Sequence, residues 1–140
     1  MSDASAERTL VLLKPDTVKR GLTGTIIDRF ERRGLRIVVM ELRTIDGEQA
    51  DEHYAEHVER DFYPPLRAFV TSGPLVAMVL EGDQAVEVVR GLNGATDGRK
   101  AAPGTIRGDF SLSNRENLVH GSDSPESAAR EIALWFPDLD

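Results

Sequence analysis

Asn117-Leu118-Val119-His120-Gly121-Ser122-Asp123-Ser124 packs three local instructions into eight residues. Leu118 and Val119 are apolar and read as the start of a short strand. Gly121 to Asp123 are small or turn-forming residues. Ser124-Pro125-Glu126 then starts a helix, with serine as the cap and proline at the first helical position, where its missing N–H does no harm. A histidine ending such a strand is presented rather than buried. The stretch therefore reads as the last strand-to-helix junction of an α/β chain, and earlier elements must supply its partner strands.

Three earlier runs fit that need. Thr9-Leu10-Val11-Leu12-Leu13 is continuously apolar, as in a buried central strand, and Lys14-Pro15-Asp16 ends it. Leu75 to Leu80 (LVAMVL) is the strongest strand signal, and Leu35 to Ile45 is rich in branched residues. Between them, Leu22, Ile26, Ile27 and Phe30 recur at helical spacing, so one helix is expected over 18–33, capped by Asp16-Thr17 and ended at Gly34. Short helices are expected at 49–57 and 66–71, forming a hairpin that stands off the sheet. Another is expected at 84–92, and a last one runs to about Phe136. Residues 93–116 show no period, and a loop that long implies function.

The order strand, helix, strand, helices, strand, helix, strand, helix makes two split βαβ units. The expected fold is an α/β (α+β) sandwich: a four-stranded antiparallel sheet with helices packed on one face. Residues 1–140 read as one domain, with 1–7 a flexible tail.

Composition narrows the function. A chain of 140 residues, 40% hydrophobic and 29% charged, can bury one core. A net charge of −7 argues against nucleic-acid binding through a basic face, though not against a small anion at a local basic cluster. The absence of cysteine excludes disulfides, thiolate metal sites and thiol catalysis. No apolar run spans a bilayer and no signal sequence is visible, so a cytoplasmic protein without membrane contact is expected.

His120 is the candidate nucleophile, and phosphoryl transfer is the chemistry its neighbours suit. That reaction depends on positioning and charge stabilisation. Lys14 at a strand mouth, Arg90 late in a helix and Arg107 in the irregular loop are cations for phosphate. Thr96 and Asn117 are neutral donors, and Tyr54 offers a phenol. Glu131, on the helix behind the His120 strand, can hold the proton on one imidazole nitrogen. Each has a plainer alternative: Lys14 and Arg90 as surface charges, Glu131 as partner of Arg130 or Arg115. His53 and His57, at i and i+4, read as solvated helix histidines. Phe62 is either a base-stacking platform or a hairpin plug. No G-x-x-x-x-G-K-[ST] or G-x-G-x-x-G occurs, so a nucleotide would bind without a P-loop or Rossmann turn. Arg107-Gly108-Asp109 is read as a chance adhesion tripeptide.

Leu13-Lys14-Pro15-Asp16, Glu52-His53-Tyr54, Thr71-Ser72-Gly73-Pro74, Pro103-Gly104-Thr105-Ile106-Arg107-Gly108-Asp109-Phe110 and Asn117 to Ser124 together resemble the nucleoside diphosphate kinase family. The likeness runs from about Arg8 to Phe136. It implies a ferredoxin-like sandwich and a ping-pong exchange between ATP and nucleoside diphosphates through phosphohistidine on His120. By the same resemblance, Lys14, Tyr54, Arg90, Thr96, Arg107 and Asn117 hold phosphates and ribose. Phe62 stacks on the base with little base or sugar preference, and Ser122 and Glu131 support His120. Mg2+ comes with the nucleotide phosphates, with Asp123 the one carboxylate offered to it. A homo-oligomer, hexamer before tetramer, is implied. Thr17, Asp61, Gly98 and Asn114 depart from the family's usual glycine, proline, proline and apolar residue. Two other functions fit the same sandwich, a non-catalytic nucleotide sensor and a phosphohistidine relay to another protein.

Overall fold

The computed structural model describes residues 6–140. Four strands form one antiparallel sheet in the order β2-β3-β1-β4: β1 (Ala6–Leu13), β2 (Arg36–Arg43), β3 (Leu75–Asp83) and β4 (Val119–Gly121). The central pair follows from the two strongest apolar runs, which lie against each other from Ala6↔Asp83 to Leu13↔Val76. Of the expected tail, Ala6 and Glu7 belong to β1, and residues 1–5 lie outside the described residues.

Helices cover both faces of the sheet, not one. Val11, Leu13, Met78 and Leu80 pack with Ile26 and Phe30 of α2 (Thr23–Arg32) and Val89 of α5 (Ala85–Asn93). Leu10, Leu12, Ala77 and Val79 pack with Ala50 of α3 (Gly47–His53), Val70 of α4 (Tyr63–Val70) and Trp135 of α7 (Pro125–Trp135). The reason is in β1 itself. Successive strand residues point to opposite faces, and Thr9 through Leu13 are all fully buried. An unbroken apolar run needs two covers, at ~1.5–3 kcal/mol gained per large side chain buried. Ala50 and Val70 anchor the α3–α4 pair in this second cluster, where α3 packs against α4 and α7.

The helix expected over 18–33 is two. A short α1 (Pro15–Lys19) stops at Gly21, whose φ of +71° suits glycine, and α2 starts after it. Asp16 and Thr17 lie inside α1 and cap nothing. Gly34, at φ +100°, ends α2 as expected. Pro64 and Pro65 do not simply break the chain: α4 carries proline in its first turn. Residues 93–116 include a five-residue helix, α6 (Ile106–Phe110), capped by the Thr105 hydroxyl accepting from the Gly108 amide. Asp109 of the adhesion-like tripeptide accepts from the Gly104 amide and pairs with Arg29 at 2.7 Å, so that tripeptide is tied into the fold. Among the described residues, no helix is long and apolar enough to cross a membrane.

Candidate active site

His120 sits opposite Leu12 in the β1–β4 ladder. Directly opposed antiparallel residues share a face, and Leu12 faces α7. The imidazole therefore points toward that helix. Glu131, one turn before Trp135, meets it: His120 Nε2 lies 2.9 Å from Glu131 Oε1, with the two side chains 20% and 8% exposed. The Ser122 hydroxyl donates to the same carboxylate oxygen at 2.8 Å and accepts from the Leu10 amide at 3.2 Å. A carboxylate only accepts, so it holds the ring proton on Nε2 and leaves Nδ1 with the lone pair. Glu131 pairs with neither Arg130 nor Arg115. Arg130 instead donates to the carbonyls of Glu52 and His53 and ties α7 to α3.

The backbone leading into His120 is held in an uncommon conformation. Leu118 has φ +75°, rare for a branched residue. Its amide donates to Asp16 Oδ2 at 3.1 Å, and its carbonyl accepts from the Lys14 amide at 2.8 Å and the Thr17 hydroxyl at 2.7 Å. Three bonds from the β1–α1 junction thus fix one strained residue. Thr17 supplies one of them through its hydroxyl. Burial pushes the Asp16 carboxyl above its ordinary value, opposed by the Lys14 charge.

Cations converge beside the histidine. Lys14 is 7% exposed and donates through Nζ to Asn117 Oδ1 at 2.8 Å. Burial first, and the Arg107 charge second, push it down to about 8. Arg107 donates to three carbonyls: Nε to Asn117 at 3.2 Å, Nη1 to Gly94 at 2.9 Å and Nη2 to Val119 at 2.6 Å. It therefore also pins the irregular loop to β4, with two of its five N–H donors left for a ligand. Burial and the neighbouring Arg90 push Arg107 down to about 10. This mutual repulsion marks a space suited to an anion.

Asn117 is buried, and its amide hydrogens go to the carbonyls of Thr96 at 2.9 Å and Asn114 at 3.0 Å. Its carboxamide orients Lys14 and ties it to the irregular loop. Thr96 is exposed at the rim. The Tyr54 hydroxyl is buried without a hydrogen-bond partner among the described residues, a group placed to meet a ligand. Burial, then Glu131, pushes its phenol upward. Asp123 is exposed, and hydrogen bonding from Ser127 holds its carboxyl low.

These groups line one cleft of about 820 Å³, which extends from His120 past Arg90 and Arg107 to Phe62, Leu112 and Asn114. Its size suits a small-molecule ligand. Phe62 is 51% exposed, which removes the hairpin-plug alternative, and its ring centroid lies 5.5 Å from that of His57. Every site residue named from the sequence lines this cleft except Ser122, which lies directly behind Glu131.

The sequence reading missed His53. It is not solvated but 4% exposed, its ring centroid 4.7 Å from that of His120. The signal that could have found it is the chain's single tryptophan at the end of a capped helix, a residue that seeks one polar partner when buried.

The family model for nucleoside diphosphate kinase matches residues 7–140. A nucleoside diphosphate kinase of Nocardioides sp. is 76% identical over 132 residues, 94% of this chain and 98% of its own. That of Cutibacterium acnes is 63% identical over 139 residues, 99% of each. The solved structure of a halophilic nucleoside diphosphate kinase from Halobacterium salinarum in complex with CDP superimposes with a TM-score of 0.93 at 51% identity, covering 96% of this chain and 91% of that one.

Proposed function

The chain belongs to the nucleoside diphosphate kinase family, and on that footing we propose that it moves the γ-phosphoryl group of a nucleoside triphosphate to a nucleoside diphosphate through His120. The observation that carries this reading is the hydrogen bond of His120 Nε2 to Glu131 Oε1 in the wall of a cation-rich cleft. In the first half-reaction Nδ1 forms a bond to the γ-phosphorus while the bond from that phosphorus to the β–γ bridging oxygen breaks, and the nucleoside diphosphate leaves. The Nε2 proton stays toward Glu131, which balances the cationic character the ring acquires. Lys14, Arg90 and Arg107 stabilise charge on the phosphoryl oxygens and on the leaving group. The Tyr54 hydroxyl donates to the same phosphates. The second half-reaction is the reverse onto an acceptor diphosphate and is nearly thermoneutral, because like bonds are exchanged.

Phe62 is the base platform. Any base has a π-face, so stacking there supports broad specificity. Magnesium would come to the site bound to the nucleotide phosphates. It takes few protein carboxylates and keeps its waters, and the exposed Asp123 beside His120 fits that demand, whereas Glu131 is already paired. The metal would neutralise phosphate charge when bound. The chain works as one domain in a homo-oligomer, a hexamer before a tetramer. Support comes from the edge strand β2, paired on one side only among the described residues and bearing Met40 and Leu42, 47% and 66% exposed. A light-scattering mass near six times 15.4 kDa is the expected result.

The activity is tested with γ-labelled ATP and magnesium. Acid-labile, base-stable label on the protein that GDP discharges as GTP supports the kinase, and His120→Ala should abolish it while sparing nucleotide affinity. No label leaves a sensor, and label that GDP cannot remove leaves a relay to another protein.

A further inference from the structure

His53, His120 and Glu131 each offer one ligating atom within 4.8 Å of the others, an arrangement that invites a metal reading. The chemistry of His53 opposes it. Trp135 Nε1 lies 3.0 Å from His53 Nδ1. An indole N–H only donates, so Nδ1 accepts and the ring's single proton is on Nε2. A ring in that state has no lone pair left for a metal. The same bond prevents His53 from becoming a cation, since a proton added at Nδ1 would point into the indole N–H.

That matters because of what surrounds the ring. The His120 imidazole crosses it at 80°, 4.7 Å between centroids, and Glu131 lies beside both. Tyr54 packs edge-on at 4.6 Å, and the indole itself at 5.5 Å. The charged or titratable groups acting on His53 are His120 from β4, Arg130 and Glu131 from α7, Lys14 after β1, and His57 after α3. Glu131 is the one carboxylate among them. A protonated His53 would compete for it with His120.

We propose that Trp135 and His53 form a positioning pair: the indole N–H keeps His53 uncharged, so Glu131 stays with His120 and the nucleophilic ring keeps its orientation. Burial, 1% exposure for Trp135 and 4% for His53, acts in the same direction by disfavouring a charged ring. Arg130, donating to the His53 carbonyl, adds a nearby positive charge that opposes a second one. The proposal rests on the phosphohistidine reading for its effect on rate, but the protonation state of His53 is measurable without any turnover.

The first test is ¹⁵N-detected NMR of the imidazoles in the intact protein, free of nucleotide. His53 should remain the neutral Nε2–H tautomer from pH 5 to 8. A protonated Nδ1, or a titration within that window, would overturn the proposal whether or not the protein labels with ATP. The second test is Trp135→Phe, which keeps the ring and removes the donor. Single-turnover phosphorylation by ATP should stay within about threefold of wild type at pH 8, then fall by about tenfold toward pH 5.5 with an inflection that wild type lacks, as His53 regains the ordinary histidine range. Adding His53→Gln, which cannot titrate, should remove that inflection. A Trp135→Phe profile parallel to wild type at every pH, or an inflection that survives His53→Gln, would contradict the pair. If Trp135→Phe does not fold, the NMR result alone decides.

Discussion

The two ends of the cleft are built to different standards. At the histidine end, most polar groups are held by hydrogen bonds within the protein, the Tyr54 hydroxyl excepted. Glu131 receives His120 and Ser122, Leu118 is held by three bonds, and Arg107 by three carbonyls. At the other end, Phe62 is half-exposed, Leu112 is 85% exposed, and Asn114 sits at the surface. The contrast follows the chemistry. A phosphoryl group in flight needs charges fixed in advance, because reorganising them during the reaction would raise the barrier. A base needs only a flat apolar surface. Rigidity is concentrated where charge moves, and tolerance where the base is read.

Substitutions at the two ends should therefore differ in kind. Glu131→Gln keeps the shape and removes the charge that balances the ring. Phosphorylation of His120 should slow by between ~10²- and 10⁴-fold, as for other carboxylates that orient a catalytic histidine, with nucleotide affinity little changed. A loss below tenfold in rapid-quench experiments would break the contrast. Arg107→Ala should slow phosphoryl transfer by ~10²-fold or more, the loss of one preorganised donor. It should also destabilise the fold by ~1–3 kcal/mol, because three part-buried carbonyls lose their partner. Denaturant titration checks the second effect, and an unchanged midpoint would remove the strut role.

Phe62→Ala should behave oppositely. Base stacking is worth ~1–3 kcal/mol, so KM should rise about tenfold for every base, with kcat unchanged and the fold intact. A kcat loss as large as that of Arg107→Ala would erase the distinction. The smallest effect is a proton count. Lys14, held down to about 8, is partly neutral above that pH in the free protein. Nucleotide phosphates favour its charged form, so binding should take up protons between about pH 8 and the ordinary lysine value of 10.5, and affinity should fall as pH rises. Calorimetry in buffers of different ionisation enthalpy reads this directly, and Lys14→Met should remove the uptake.

The sheet was legible because its information is local. The runs at Thr9–Leu13 and Leu75–Leu80 are too apolar to be edge strands, and Ser124-Pro125 announces α7. The break at Gly21 was hidden because apolar spacing continues across it, and only the backbone reveals the positive φ. The motif segments located the cleft, and the structure brings together Lys14, Tyr54, Arg90, Arg107, Asn117 and His120 from five separate stretches of chain. What the sequence hid were partnerships across long separations. His53 lies among charged residues and reads as solvated, yet Trp135, 82 residues away, buries it. Thr17 and Asp16 read as a helix cap, yet they hold Leu118 from the other end of the chain. Local pattern gives the faces of elements, and only the packed fold says which polar group each face meets.

The position of the phosphorus on the imidazole tests the central claim most directly. Protein labelled by ATP is denatured in base and its phosphohistidine identified by ³¹P and ¹⁵N NMR. With Nε2 held by Glu131, the phosphoryl group must be on Nδ1 of His120. Phosphorus on Nε2, or on any other residue, would contradict the account.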